Sequence, residues 1–121
     1  MPDRADHILQ AQHNERFFQT IDKVEFSDWA MTTIFYAALH YIDAFLATIG
    51  LVDPGGHSVR DDQFHRTSEL QPIARNYFRL KNRSKNARYY CGTFEEAELR
   101  RCYRDDLGRI KSHLNPLITH P

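Results

Sequence analysis

Residues 27–50 read SDWAMTTIFYAALHYIDAFLATIG, and they form the most apolar long stretch of the chain. At 100° per residue, one set of its apolar side chains falls within roughly 140°, which predicts a helix with a wide buried face. That set is Met31, Ile34, Phe35, Ala38, Leu39, Ile42, Phe45, Leu46 and Ile49. Ser27 is a suitable N-cap and Gly50 a suitable C-cap. We therefore expect this segment to be the central helix of the core.

Helix and loop signals surround this central segment. A first helix is expected over about residues 4–23, with apolar positions that include Ile8, Phe17, Phe18 and Ile21. After the central helix, the sequence DPGG is strong turn chemistry, so residues 51–59 are expected to be a loop. A short helix over about residues 60–70 is expected to follow.

Two further helices are expected in the second half of the chain. Pro72 suits the first turn of a third long helix that ends near Ala87 or Tyr89. Thr93 and Glu96 have the spacing of a capping box, and Asn115-Pro116 should end the helix that they open. That last helix carries one amphipathic stripe, made of Leu99, Tyr103, Leu107, Ile110 and Leu114.

These segments predict an all-α fold. Four long helices with short links and one longer loop are typical of an up-and-down four-helix bundle, to which the short helix would be an addition. At 121 residues with 41% hydrophobic content, the chain is long enough for one domain with one modest core, covering residues 1–121.

Composition narrows the functional classes. The chain has 16 basic and 16 acidic residues, which argues against bulk electrostatic binding to long nucleic acid. Its two cysteines do not make a disulfide framework or a metal motif, so they are expected to be free thiols in a reducing compartment. The N-terminus is polar, so no signal peptide is expected, and we expect a cytoplasmic protein without a membrane span.

Positive charge is concentrated locally instead. Residues 70–94 contain no acidic residue, and they carry Arg75, Arg79, Lys81, Arg83, Lys85 and Arg88. Arg79, Lys81 and Lys85 are expected to face water. Arg83 lies at the edge of the stripe formed by Asn76, Leu80 and Ala87, from where it can reach into a groove between helices. A basic surface of this kind suits a phosphate-bearing partner.

The central helix has a second stripe, opposite its main apolar face. The stripe consists of Trp29, Thr33, Tyr36, His40, Asp43 and Ala47. It indicates either a cleft or subunit interface, or plain packing in which His40 bonds Asp43 or water. His40-x-x-Asp43 and Asp62-x-x-His65 each offer two ligand types, but the Glu-x-x-His motifs of a di-iron bundle are missing, so we predict no metal and no cofactor.

One motif resembles a known family. Tyr77-x-x-Leu80-x-x-Arg83-x-x-x-x-Arg88-x-Tyr90, near the end of the penultimate long helix, resembles the HEPN superfamily signature of Arg, four to six residues, His, and often x-Tyr. AALHYID at residues 37–43 and His57-x-x-Arg60 are similar to small bacterial HEPN-like proteins. Where that family has His, this chain has Arg88, which stays protonated and so cannot serve as a normal general base.

The resemblance implies an RNA- or nucleotide-binding protein, with a metal-independent ribonuclease of a toxin–antitoxin or defence system as its enzymatic form. It implies a homodimer, a nucleotidyltransferase antitoxin as partner, and Tyr90 as a target of modification. In such an enzyme the catalytic residues are expected to be Arg83 and Arg88, which would hold the phosphate, with His57 or His40 supplying acid/base chemistry in place of the missing motif His. Arg60 and Lys85 are expected to add to the phosphate-binding set of Arg83 and Arg88. The alternative is a non-catalytic helical dimer that binds a partner protein.

Overall fold

The computed structural model describes residues 2–51 and 56–119, which are largely helical and include no strand. The last three helical segments follow one another without a break and are called the final helix below. The elements are α1 (Arg4–Thr20), α2 (Ser27–Thr48), α3 (His57–Arg66), a 3₁₀ segment (Ser68–Ile73), α4 (Ala74–Tyr89), α5 (Glu96–Arg101), a π-helical segment (Cys102–Leu107) and α6 (Gly108–Thr119). The all-α prediction is confirmed.

Helix α2 is the centre of a four-helix bundle. Helices α1 and α4 and the final helix all pack on it. Fifteen of its 22 residues are buried, and they include the predicted apolar face with the exception of Ile49, which is 48% exposed. By length and composition α2 is also the one helix in the described ranges that could cross a membrane, but 78% of its most apolar window is buried inside the bundle.

The two ends of α2 differ in how well the sequence predicted them. Gly50 has a φ of +94°, its N–H donates to the Ala47 carbonyl, and the N–H of Leu51 donates to the Leu46 carbonyl. This is the Schellman pattern, in which Ile49 is the C-cap and Gly50 is the left-handed residue that follows it. Ser27 is not the N-cap. It is the first helical residue, and its Oγ accepts a hydrogen bond from the Phe94 N–H (3.1 Å), which fastens α2 to the segment before α5.

The prediction for α1 was partly wrong, in its length and in one of its apolar positions, whereas Ile8, Phe18 and Ile21 do pack on the core. The helix ends at Thr20, and Phe17, which was expected among the apolar positions, is 44% exposed. The buried face includes two polar residues, and its members are His7, Ala11, Glu15 and Phe18. Charged and polar side chains occupy this face because they have bonding partners on α2 and on the final helix.

Several boundaries in the middle of the chain also differ from the prediction. Helix α3 begins at His57, inside the predicted loop, and residues 52–55 of that loop lie outside the described ranges. Pro72 lies in the 3₁₀ segment, and α4 begins two residues later, at Ala74. Pro72 still lies close to the start of α4, where the N–H that a proline lacks would have no partner within the helix.

The final helix departs from the prediction at both ends. Its N-cap is Glu95, without a side-chain hydrogen bond, so the predicted capping box of Thr93 and Glu96 does not form. Pro116 does not end the helix, because α6 continues to Thr119. The amphipathic stripe is largely confirmed, since Leu99, Leu107, Ile110 and Leu114 are fully buried and only Tyr103 is partly exposed.

Candidate functional site

Arg88 lies in the last turn of α4 and has unusual surroundings. Its Nε donates to the Oγ and to the carbonyl oxygen of Ser84 (3.1 and 3.3 Å), and its Nη1 donates to the hydroxyl of Tyr36 (3.1 Å). The guanidinium carbon is 5.1–5.8 Å from the ring centres of Phe35, Tyr36 and Tyr89. All of these partners are neutral, and Arg88 forms no ion pair with any described carboxylate.

A groove of about 360 Å³ opens beside this guanidinium, between the first half of α2 and the end of α4. Trp29 and Tyr89 are 57% and 66% exposed, so they present their rings to solvent. We call this the Trp29 groove, and its lining consists of Asp28, Trp29, Thr32, Tyr36, Ala87, Arg88 and Tyr89. One oriented cation among planar rings can bind a phosphate and stack a base.

His57 lies at the start of α3 on the far side of Phe35. Its ring centre is 6.2 Å from that of Phe35, whose other contacts include Arg88. Its Nδ1 is 3.4 Å from Nη1 of Arg60, so this nitrogen acts as an acceptor and the proton resides on Nε2. Burial lowers the pKa of His57, and the positive charges of Arg60, Lys81 and Arg88 act in the same direction. The imidazole is therefore neutral at pH 7.

Arg60, which was expected to bind phosphate, is paired with the carboxylate of Asp43 instead. It is 7% exposed, and its Nε and Nη2 donate to the two carboxylate oxygens of Asp43 at 2.6 and 2.8 Å. Asp43 is itself 4% exposed. The two side chains neutralise each other inside the core, and the remaining Nη1 faces His57. Arg60 thus positions His57. Most of its N–H donors are directed at Asp43 and His57, so few remain to bind a phosphate.

His40 was expected to be an acid/base group and to bond Asp43 or water. It contacts His7 instead. Its Nδ1 is 3.0 Å from Nδ1 of His7 on α1. Burial lowers the pKa of His40, and so do His7 and Arg60, whereas Asp43 raises it. One ligand atom from each of His7, His40 and Asp43 lies within 4.8 Å of the others, as in a metal site. The two imidazoles contact each other and Asp43 is paired with Arg60, but Nε2 of His7 is buried without a hydrogen-bond partner among the described residues. The absence of a metal stays a prediction.

Arg83 is separated from Arg88. Five residues along a helix correspond to a rotation of about 140°, so the two guanidiniums face different neighbours. Nε of Arg83 donates to Oε1 of Glu98 at 2.9 Å, on the side of α4 that faces the final helix. Among the other predicted site residues, Lys85 is exposed and Tyr90 is 69% exposed. The expected solvated charges Arg79 and Lys81 are paired, with Asp106 and Asp61.

Sequence reasoning missed two elements of this site. Ser84 is fully buried, and its hydroxyl and carbonyl orient Arg88 from the preceding turn of α4. Tyr36 was placed on a polar stripe but not paired with Arg88, 52 residues away in sequence. Ser84 is four residues before Arg88, and that spacing is a signal for a bond along one helix face.

No family model, no curated protein and no solved structure matches the chain.

Proposed function

We propose that the protein binds RNA or a nucleotide in the Trp29 groove. The observation that carries this proposal is the guanidinium of Arg88, which keeps its full charge among neutral partners in a groove with exposed aromatic rings. Most other cations near α4 are already paired with carboxylates. Arg88 is therefore the cation near this groove that a phosphate can engage without first displacing a carboxylate.

The groove has the chemistry that single-stranded nucleic acid requires. Arg binds phosphate through oriented N–H donors, and bases extruded from a helix stack on aromatic side chains. Stacking contributes about 1–3 kcal/mol per base and tolerates any sequence. Ser84 and Tyr36 hold the guanidinium in place before the ligand arrives, which reduces the entropy lost on binding. Asp28 at the edge of the groove repels phosphate and should restrict the position of the backbone.

The experiment is a titration of a fluorescently labelled single-stranded RNA, followed by anisotropy. Wild type should bind, and Arg88→Gln should lose roughly tenfold to hundredfold in affinity, because charge-assisted hydrogen bonds contribute about 1.5–3 kcal/mol. Arg75→Gln is the control, since Arg75 is an exposed residue of α4 and the change in net charge is identical. Equal affinity of Arg88→Gln and Arg75→Gln would show that binding is only a net-charge effect and would refute the proposal.

A ribonuclease is the second candidate, and His57 is the observation that favours it. His57 and Arg88 both contact Phe35, so in this candidate the imidazole exchanges a proton with RNA while the guanidinium stabilises the phosphorane. The test is cleavage of a mixed RNA pool without metal by wild type, His57→Gln and the exposed control His65→Gln. Cleavage that is lost only in His57→Gln supports this candidate. Absence of cleavage by wild type eliminates it and leaves a binding protein.

Membership of the HEPN superfamily is part of the same proposal. It is supported by the all-α bundle and by the position of Arg88 in the last turn of α4, where the family motif has His. In this interpretation the protein is a homodimer, its partner is a nucleotidyltransferase antitoxin, and the exposed Tyr90 is available for modification. Light scattering at micromolar concentration should give twice the chain mass of 14.3 kDa. A clean monomer would remove the dimeric arrangement and favour binding by a single chain.

A further inference from the structure

A second cavity lies on the other side of the bundle, between the end of α1 and the final helix. Its volume is about 340 Å³, within the range of small-ligand sites. We call it the Lys23 pocket, and its lining consists of Phe18, Gln19, Lys23, Arg100, Tyr103 and Arg104. Three of these side chains are cations, and none of the described lining residues is a carboxylate. The pocket shares no residue with the Trp29 groove.

Lys23 is the decisive residue of this pocket. It is only 9% exposed, yet it forms no ion pair with any carboxylate that the structure describes. Its ammonium lies 4.7 Å from the ring centre of Phe18 and 3.5 Å from the carbonyl oxygen of Ile21. An ammonium has three donors, and the Ile21 carbonyl is the one hydrogen-bond acceptor that Lys23 has among the described residues, although Lys23 lines the pocket. A buried charge without a counter-ion is costly, so an anion in the pocket would stabilise it.

Arg100 and Arg104 lie at the rim of the pocket, and each can exchange its present carboxylate partner for another anion. Arg100 pairs with Glu96 at 2.9 Å and Arg104 with Asp105 at 2.8 Å, and all four side chains are largely exposed. Exposed pairs of this kind contribute about 0–1 kcal/mol. Each guanidinium can therefore turn to a stronger ligand at little cost. A phosphate offers the planar, bidentate contact that Arg prefers.

The backbone of the final helix is irregular at this pocket. The π-helical segment Cys102–Leu107 carries both Tyr103 and Arg104. Such turns are rare and are found frequently at functional sites. Tyr103 stacks on Phe18 with ring centres 4.5 Å apart and an interplanar angle of 6°. Phe18 is 3% exposed and contacts both Tyr103 and the Lys23 ammonium, so it supports these two side chains from inside the bundle.

The buried carboxylate of Glu15, which Tyr103 bonds, already has a cationic partner. Glu15 accepts hydrogen bonds from the hydroxyls of Tyr41 and Tyr103 at 2.5 and 2.8 Å, and Lys111 pairs with it at 2.8 Å. Burial and, after it, the hydrogen bond to Glu15 raise the pKa of Tyr103 to about 12. Tyr103 therefore remains a protonated donor committed to Glu15, and Glu15 does not supply the missing partner of Lys23.

We propose that the Lys23 pocket is a second ligand site, and that it binds a phosphate group. Lys23 holds the anion from the buried side, and Arg100 and Arg104 close on it from the rim. The partly exposed Tyr103 borders the pocket beside these cations. The phosphate can come from a small molecule or from an RNA backbone, and the two sources present the same chemistry to the three cations.

The experiment measures the binding of inorganic phosphate, a nucleoside monophosphate and a short RNA, each against sodium chloride of equal ionic strength. Calorimetry gives the affinity and the shift in Tm reports stabilisation. Arg104→Gln and Lys23→Gln should each weaken binding at least tenfold. Arg75→Gln, at an exposed cation of α4 outside both cavities, is the charge-matched control. Because Arg104 is exposed, its variant is expected to fold even if Lys23→Gln does not.

The outcomes distinguish this pocket from the Trp29 groove. Arg88→Gln should retain phosphate binding at the Lys23 pocket even though it loses affinity for RNA at the groove. Binding of phosphate or the monophosphate that depends on Lys23 and Arg104 supports a small-molecule source, and dependence seen with RNA alone supports a backbone source. If no probe binds, or if Arg104→Gln and Lys23→Gln both bind as wild type does, the proposal is refuted.

Discussion

Asp43 and Arg60 are a buried charged pair, with side chains 4% and 8% exposed. Removing one member of such a pair leaves an uncompensated charge in the core, which typically costs about 3–5 kcal/mol. We expect Asp43→Ala to lower the free energy of unfolding by this amount. Replacing both residues, as Asp43→Leu with Arg60→Met, should cost much less, because apolar residues of similar volume remove the need for a counter-ion.

Urea unfolding of the single and double variants checks this expectation. A double variant that is as unstable as the sum of its two single variants would show that the two side chains do not interact. The pair matters for the site as well, because Arg60 bonds Nδ1 of His57. A double variant that folds but has an altered His57 titration would separate the structural role of the pair from its positioning role.

The lowered pKa of His40 predicts how the free energy of unfolding depends on pH. Its pKa in the folded protein is lowered, mainly by burial and then by His7, whereas the unfolded chain has a His pKa of about 6.5. The unfolded state therefore binds more protons in mild acid, and the free energy of unfolding should fall as pH falls through about 6.5. The fall between pH 7 and pH 5 should be smaller in His40→Gln than in wild type.

Denaturant unfolding at several pH values measures this effect, with His13→Gln on the exposed face of α1 as the control. His57 has a lowered pKa too and contributes in the same direction, so some pH dependence should persist in His40→Gln. An unchanged slope in His40→Gln would mean that the His7–His40 contact does not couple folding to protonation.

At the scale of elements, replacing each of two glycines by alanine should change the free energy of unfolding in opposite directions. Gly50 has a φ of +94°, so Gly50→Ala should destabilise the protein by about 1 kcal/mol although a Cβ would meet nothing within 4 Å. Gly108 is helical, and the nearest atom to an added Cβ is 3.8 Å away. Gly108→Ala should therefore stabilise by about 0.5–1 kcal/mol. Thermal unfolding of both variants is sufficient, and the same sign for both changes would contradict the backbone assignment.

Local sequence signals predicted α2 well because its apolar period is unbroken and Gly50 suits a left-handed cap. They were partly wrong for α1 because Glu15 is buried by partners far away in sequence, namely Tyr41, Tyr103 and Lys111. No local pattern reports such partners. The π-helical segment and the continuation of α6 past Pro116 are further outcomes of packing that residue propensities do not encode.

At the scale of the whole molecule, the sequence predicted the basic helix but not which charges would remain available. Arg83 and Arg88 were expected to act together, but they face different helices and only Arg83 has a carboxylate partner. Arg60 was expected to bind phosphate and is instead held by Asp43. The pairing of charges depends on the tertiary fold, so a count of basic residues overestimates the number of phosphate ligands.

Tertiary structure also explains why the Lys23 pocket was not predicted. Its residues come from the end of α1, the following turn and the final helix, and they are separated by up to 86 positions of sequence between Phe18 and Arg104. Lys23 was expected to be the last residue of α1. It lies instead in the turn beyond the helix, which brings its side chain back over Phe18.

The central claim is that ligand binds in the Trp29 groove, and Trp29 itself provides the test. It is the only tryptophan of the chain and is 57% exposed in the groove wall. Titration with a short unlabelled single-stranded RNA should change its fluorescence saturably, because a stacked base alters the environment of the indole. Arg88→Gln should need at least tenfold more RNA for the same change, and Arg75→Gln should match wild type. RNA binding that leaves Trp29 fluorescence unchanged, or equal titrations for wild type and Arg88→Gln, would contradict the account.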